Sequence, residues 1–139
     1  MTFETGHIAR YVAPRGKGVI VITGHSDKAL ATFVNELGEK GYFRDNFVLF
    51  NSCETKLTHQ MLTKINSEYG AIASYGHEGV ISASKVQQSM VELADALQQP
   101  HPKGFSFIKI IDDAFHRNGL NGIWTICALE ETRFGGLDA

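Results

Sequence analysis

Cysteine is scarce in this sequence, and long apolar runs are missing. The two cysteines among its 139 residues, Cys53 and Cys127, end or interrupt apolar runs, which favours free thiols in a reducing compartment over a disulfide scaffold. No apolar run approaches the roughly 18 residues of a membrane span, and residues 1–10 lack the apolar core of a signal peptide. We therefore expect a soluble, cytoplasmic protein without a membrane partner.

An excess of charge of either sign is missing too. The 13 basic and 15 acidic residues give a formal net charge of -2, so the composition provides no electrostatic case for a nucleic-acid partner. Hydrophobic residues at 43% and charged residues at 20% are ordinary for a folded domain. Because linkers, internal repeats and low-complexity stretches are also lacking, we predict a single domain over residues 1–139. We expect no cofactor.

The clearest pattern in the chain is a strand, a helix and a strand between Gly18 and Thr55. Residues 19–23 and 47–50 are apolar and rich in β-forming side chains. Between them an apolar stripe recurs at i, i+3, i+4 and i+7, formed by Leu30, Phe33, Val34 and Leu37. Such a βαβ unit has parallel strands and a right-handed crossover. If the strands are neighbours, His25 and Cys53 lie at the same edge, just past their carboxyl ends.

The pattern continues in the same style along the rest of the chain. Further elements are predicted in the order helix, strand, helix, helix, strand, over residues 57–65, 71–75, 84–97, 106–115 and 123–129. Ser84 and Gln87 have the spacing of a capping box, and residues 76–79 form a glycine-histidine turn. The pattern assigns no helix or strand to residues 1–17. This order predicts an α/β fold with a mostly parallel sheet that helices cover on both faces.

A cysteine and a histidine at one sheet edge have the groups needed for acyl transfer. A thiol with an ordinary pKa of about 8.5 is mostly protonated at neutral pH and attacks a carbonyl only as the thiolate. An imidazole within reach takes the proton and later gives it to the leaving amine. Backbone N–H groups of Cys53 and of the residues around His25 are placed to hold the developing oxyanion.

The same residues resemble a known family. The run from Val48 to Thr55, with Asn51-Ser52-Cys53-Glu54-Thr55 at its end, resembles the strand and the S-A-C-E-T-G motif of CHAT domains, which belong to the caspase-like clan of cysteine peptidases. Ile20 to His25 is similar to the strand that ends in the histidine of that clan. Gly70 to Tyr75 looks like a later strand of the same fold.

The resemblance implies a fold, an activity and a set of site residues. The fold would be a caspase-like three-layer sandwich, in a minimal or truncated form because few strands precede the histidine. The activity would be that of a cysteine endopeptidase acting on a peptide or protein, as a monomer or in a homo- or hetero-oligomer. His25 would be the general base and Cys53 the nucleophile, with the amides of Gly24 or Ser26 near the oxyanion. Glu54 and His77 are candidate substrate contacts.

Three alternatives remain open at this point. In the first, the chain is an inactive interaction or assembly module of the same fold. In the second, it is a serine hydrolase in which Ser26, after Gly24 and His25, is the nucleophile. That elbow motif has Lys28 where its last glycine belongs. A metal site formed by the residues at the strand ends is the third alternative: Asp27, Cys53, His25, His77 and Glu78.

Elsewhere we expect Asp112 and Asp113 on a solvated helix face, and Trp124 in the core.

Overall fold

A computed structural model describes residues 2–3, 6–12, 18–100 and 107–126 and has an α/β fold. Its strands are β1 Thr2–Phe3, β2 Gly6–Val12, β3 Gly18–Gly24, β4 Phe47–Asn51, β5 Ala73–His77 and β6 Gly122–Ile126. Its helices are α1 Lys28–Glu39, α2 Lys56–Ser67, α3 Ala83–Gln98 and α4 Phe107–His116. Within these residues no helix has the length and apolar character that crossing a bilayer requires.

The strands form one sheet in the order β1-β2-β3-β4-β5-β6. The three central strands β3, β4 and β5 are parallel neighbours, which confirms the βαβ prediction and the α/β class. Strand β6 is antiparallel to β5, and β2 is antiparallel to β3. Strands β1 and β2 form an antiparallel pair in the segment that the sequence pattern left open.

Helices cover both faces of the sheet, and each face has its own core. Alternate residues of the strands point to opposite faces. One set packs with α3 and α4, including Val21, Leu49 and Tyr75. The other packs with α1 and α2, including Ile22 and Phe50. All five residues of β4 are buried, as expected for a central strand covered on both sides.

The starts of the helices are fixed by short polar side chains, although not everywhere as predicted. The Asp27 carboxylate accepts from the Leu30 N–H at 2.9 Å and caps the start of α1. The capping box at Ser84 is wrong, because α3 begins at Ala83 and Ser82 occupies its cap position without a side-chain cap bond. The Ser84 hydroxyl lies 2.9 Å from that of Ser82 instead.

The end of β5 also differs from the prediction. The strand runs to His77, which pairs with Gly122 of β6, so Gly76 and His77 belong to the sheet and not to a turn. The turn comes at Gly79, whose φ of 73° favours glycine. Cys127 and the end of the predicted last strand, residues 127–129, lie outside the described residues.

Candidate active site at the carboxyl edge of the sheet

His25 and Cys53 lie at corresponding positions beyond two adjacent strands. Thr23 of β3 is in register with Asn51 of β4, and each candidate follows its register residue by two positions. Neighbouring strands are about 5 Å apart. Both candidates line one pocket of about 160 Å³, together with Gly24, Ser52, Ile81 and Ala83. His25 is exposed and Cys53 is half-buried, so the pocket gives access to both.

Three hydroxyl groups join the loop after β3 to the loop after β4. The Ser26 hydroxyl lies 2.6 Å from that of Thr55 and 2.9 Å from that of Thr58. Thr58 in turn donates to the Cys53 carbonyl oxygen at 2.6 Å. This cluster ties the segment that carries His25 to the backbone of Cys53. Among the described residues, the hydrogen-bond partners of the Ser26 hydroxyl are threonine hydroxyls and include no imidazole that could activate it as a nucleophile.

The Glu54 carboxylate is engaged within the protein. One of its oxygens accepts from the Gly79 N–H at 2.9 Å, and the other lies 2.7 Å from His59 Nε2. The Gly79 hydrogen bond, followed by His59, lowers the pKa of the Glu54 carboxyl below its ordinary value. Glu54 therefore holds the loop after β5, while its assignment as a substrate contact stays a prediction.

His77 is fully buried, which corrects its placement in a turn that faces substrate. Its Nε2 lies 2.7 Å from Asn51 Oδ1, and Asn51 donates from Nδ2 to the Thr23 hydroxyl at 3.4 Å. The ring packs edge-on against Phe115, with centroids 4.7 Å apart. Burial lowers the pKa of His77 to about 4, so the imidazole is neutral at neutral pH and Nε2–H donates to Asn51.

These contacts form a polar layer across the three parallel strands, directly below the candidate pair. Thr23, Asn51 and His77 come one from each strand, and the first two precede His25 and Cys53 by two residues. The sequence analysis missed this layer. Its only signal was a polar side chain at the end of each apolar strand, which is also the ordinary composition of a strand end.

Two predictions away from the pocket have different outcomes. The Asp112 carboxylate accepts from the Tyr75 hydroxyl at 3.0 Å and is partly buried, which corrects its assignment to a solvated face. Burial, followed by the negative charge of Asp112 and this hydrogen bond, raises the pKa of Tyr75. Trp124 packs edge-on against Tyr75, with centroids 4.6 Å apart, at the margin of the core.

The residues of the alternative metal site are not assembled for that purpose. Asp27 caps α1 and His77 is buried against Asn51. Within 18–100 and 107–126 no group of three or more His, Cys, Asp or Glu side chains is arranged to hold a metal ion.

Comparison of the chain with protein-family models, curated proteins and solved structures finds no match. The resemblance to CHAT domains therefore depends on the motifs around His25 and Cys53, and the chemistry has to be argued from the geometry of the pocket.

Proposed function

We propose that this chain is a cysteine peptidase with a caspase-like fold, in which His25 and Cys53 act as a catalytic dyad on a peptide or protein substrate. The observation that supports this most directly is that both side chains line one pocket at the carboxyl ends of adjacent parallel strands. Sites of open α/β sheets are found at this edge. An imidazole beside a reachable thiol supplies a base and a nucleophile together.

The reaction divides into acylation and hydrolysis. His25 takes the thiol proton as the Cys53 sulfur forms a bond to the substrate carbonyl carbon. The C–N bond then breaks, and His25 gives the proton to the leaving amine. Water attacks the resulting thioester with His25 again as the base, which releases the carboxylic acid and restores the thiol. The backbone amides of Cys53 and of Gly24 or Ser26 would stabilise the oxyanion.

The surroundings of the pair favour a fixed geometry. The Thr58 hydroxyl holds the Cys53 carbonyl, and Ser26 joins that cluster from the loop of His25. Below, Asn51 connects Thr23 to His77 across the three strands. Holding reacting groups in place in this way removes part of the entropic cost of the reaction.

A second candidate is an interaction module of the same fold without catalysis. The observation that favours it is Val80, whose side chain is 90% exposed in the loop that precedes Ile81 of the pocket. Beside the pocket it offers an apolar contact to a partner protein, although single exposed apolar residues are common on protein surfaces. In this alternative, replacing His25 has no effect on the reactivity of Cys53.

Alkylation of Cys53 by iodoacetamide distinguishes the two candidates. The full chain is labelled at pH 6, and mass spectrometry of its peptides separates Cys53 from Cys127. Because only the thiolate reacts, we expect the wild type to react at least about tenfold faster than His25→Ala. His116→Ala removes another exposed histidine, in the last turn of α4, and should match the wild type.

Equal rates for the wild type and His25→Ala would contradict the peptidase proposal. Labelling of Ser26 by a fluorophosphonate, lost in Ser26→Ala, would instead support the serine hydrolase.

A further inference from the structure

The loop between β5 and α3, residues 78–82, forms one wall of the pocket. Ile81 of this loop and Ala83 at the start of α3 line the pocket together with Gly24 and His25 from the end of β3. The position of this loop therefore sets the shape of the space next to the thiol. Two contacts hold the loop, one at each side of its turn.

The first contact is a clamp made by Glu54, the residue that follows Cys53. The Glu54 N–H donates to the Gly79 carbonyl at 2.8 Å, and the Gly79 N–H donates to Glu54 Oε1 at 2.9 Å. The other carboxylate oxygen is held by His59 at 2.7 Å. The second contact is the Glu78 N–H, which donates to the Asn121 carbonyl at 2.8 Å. The clamp thus connects the wall of the pocket to the residue next to the thiol.

The chemistry of the pocket limits what it accepts. Besides His25 and Cys53, its lining within the described residues consists of Gly24, Ser52, Ile81 and Ala83, none of which is charged. A carboxylate or guanidinium that entered would lose water without gaining a counter-charge from these four residues. A volume of about 160 Å³ is also well below the roughly 300–1,000 Å³ of a pocket for a whole small molecule. The space fits one side chain.

We propose that Glu54 is a positioning residue, which fixes the wall of a subsite that takes one uncharged substrate side chain beside Cys53. The proposal rests on the peptidase function given above and adds its substrate class. Glu54 acts through Gly79 and the loop, since both of its carboxylate oxygens are already bonded within the protein.

Peptidyl chloromethyl ketones that differ only in the residue next to the ketone test the subsite. The Cys53 sulfur displaces chloride from each reagent, and the rate is measured by mass spectrometry on the full chain. We expect reagents with Ala or Val at that position to react at least about tenfold faster than those with Asp or Arg, because a charged group is desolvated without a partner. An Asp or Arg reagent that matches the Ala reagent would overturn the subsite.

The clamp is tested by the ratio of the Ala rate to the Asp rate in variants. Glu54→Gln keeps an oxygen for the Gly79 N–H and should retain the ratio, whereas Glu54→Ala should bring it below about threefold. If Glu54→Ala does not fold, Glu54→Asp replaces it, because its side chain is one methylene too short. Glu92→Ala is the matched control, since Glu92 accepts from Asn118 between α3 and the end of α4. An unchanged ratio in the shortened variant would refute the clamp.

The ratio of the Ala rate to the Asp rate reports on the subsite, whereas the absolute rates report on activation of the thiol by His25. Both are therefore also measured in His25→Ala. A preserved ratio with rates that do not depend on His25 would count against the peptidase function and leave the subsite standing. If the Ala and Asp reagents react at equal rates but both rates fall in His25→Ala, the subsite is wrong and the peptidase function stands.

Discussion

His77 has the most unusual environment of the single residues in this fold. Its ring is fully buried, edge-on to both Tyr75 and Phe115, and its Nε2 bonds to Asn51. Among the described residues its Nδ1 has no hydrogen-bond partner. A proton there would create a buried charge in an aromatic environment, which explains why burial lowers the pKa of His77 to about 4.

This environment predicts a pH dependence of stability. Between pH 6.5 and pH 4 the unfolded chain binds a proton at His77 and the folded chain does not, so stability falls as the pH falls through this window. The lowered pKa corresponds to a loss of about 3 kcal/mol in the free energy of unfolding. Urea unfolding of the wild type from pH 7 to pH 4 measures it.

His77→Gln is the control, because glutamine can donate to Asn51 and does not titrate in this range. Its stability should depend less steeply on pH than that of the wild type. If stability falls equally steeply with pH in the two proteins, protonation of His77 on unfolding is not the cause of the pH dependence.

At the scale of elements, α1 and the segment that follows α2 make a close contact at Gly38. This glycine is buried in α1, and a Cβ atom built there would lie 2.2 Å from the Tyr69 ring. Tyr69 is fixed in turn by its hydroxyl, which donates to Asn35 at 3.2 Å. The absence of a side chain at Gly38 lets the Tyr69 ring approach the helix.

Gly38→Ala should therefore destabilise the protein. Alanine in a helix interior is normally better than glycine by about 1 kcal/mol, but here the methyl group would overlap the ring, and overpacking of this kind costs about 1–3 kcal/mol. Chemical denaturation measures the change. In the Tyr69→Ala background the clash is absent, so the same substitution should be neutral or stabilising. Destabilisation of equal size in both backgrounds would exclude the contact as the cause.

At the scale of the whole molecule, the sequence was sufficient for the four helices and for β3 to β6, and insufficient for β1, β2 and the contacts between elements. Two apolar runs, at 19–23 and 47–50, and the helical stripe from Leu30 to Leu37 can be recognised directly in the sequence. The positions of β3, α1 and β4 were therefore predicted closely. Two helices between β5 and β6 allow the last strand to run antiparallel. That direction, the pairing of β2 with β3 and the burial of His77 follow from tertiary packing, which no local pattern records.

For the candidate site too, the sequence predicted the two residues but not the contacts around them. His25 and Cys53 were found because each follows an apolar strand, and the parallel pairing of β3 and β4 brings them to one pocket. The Glu54 clamp, the hydroxyl cluster at Ser26 and the polar layer below depend on partners that are 25 to 32 residues away. Spacing in the sequence gives no signal for such contacts.

The most direct measurement is acylation of Cys53 by a peptide p-nitrophenyl ester with alanine at the reactive carbonyl, followed by intact mass and by nitrophenolate release. The wild type should form a thioester at Cys53 that then hydrolyses, and His25→Ala should slow its formation by about 10²–10⁴-fold. Cys53→Ala should form none. Acylation of Cys53 in His25→Ala at the wild-type rate, or no acylation of Cys53 in the wild type, would contradict the account.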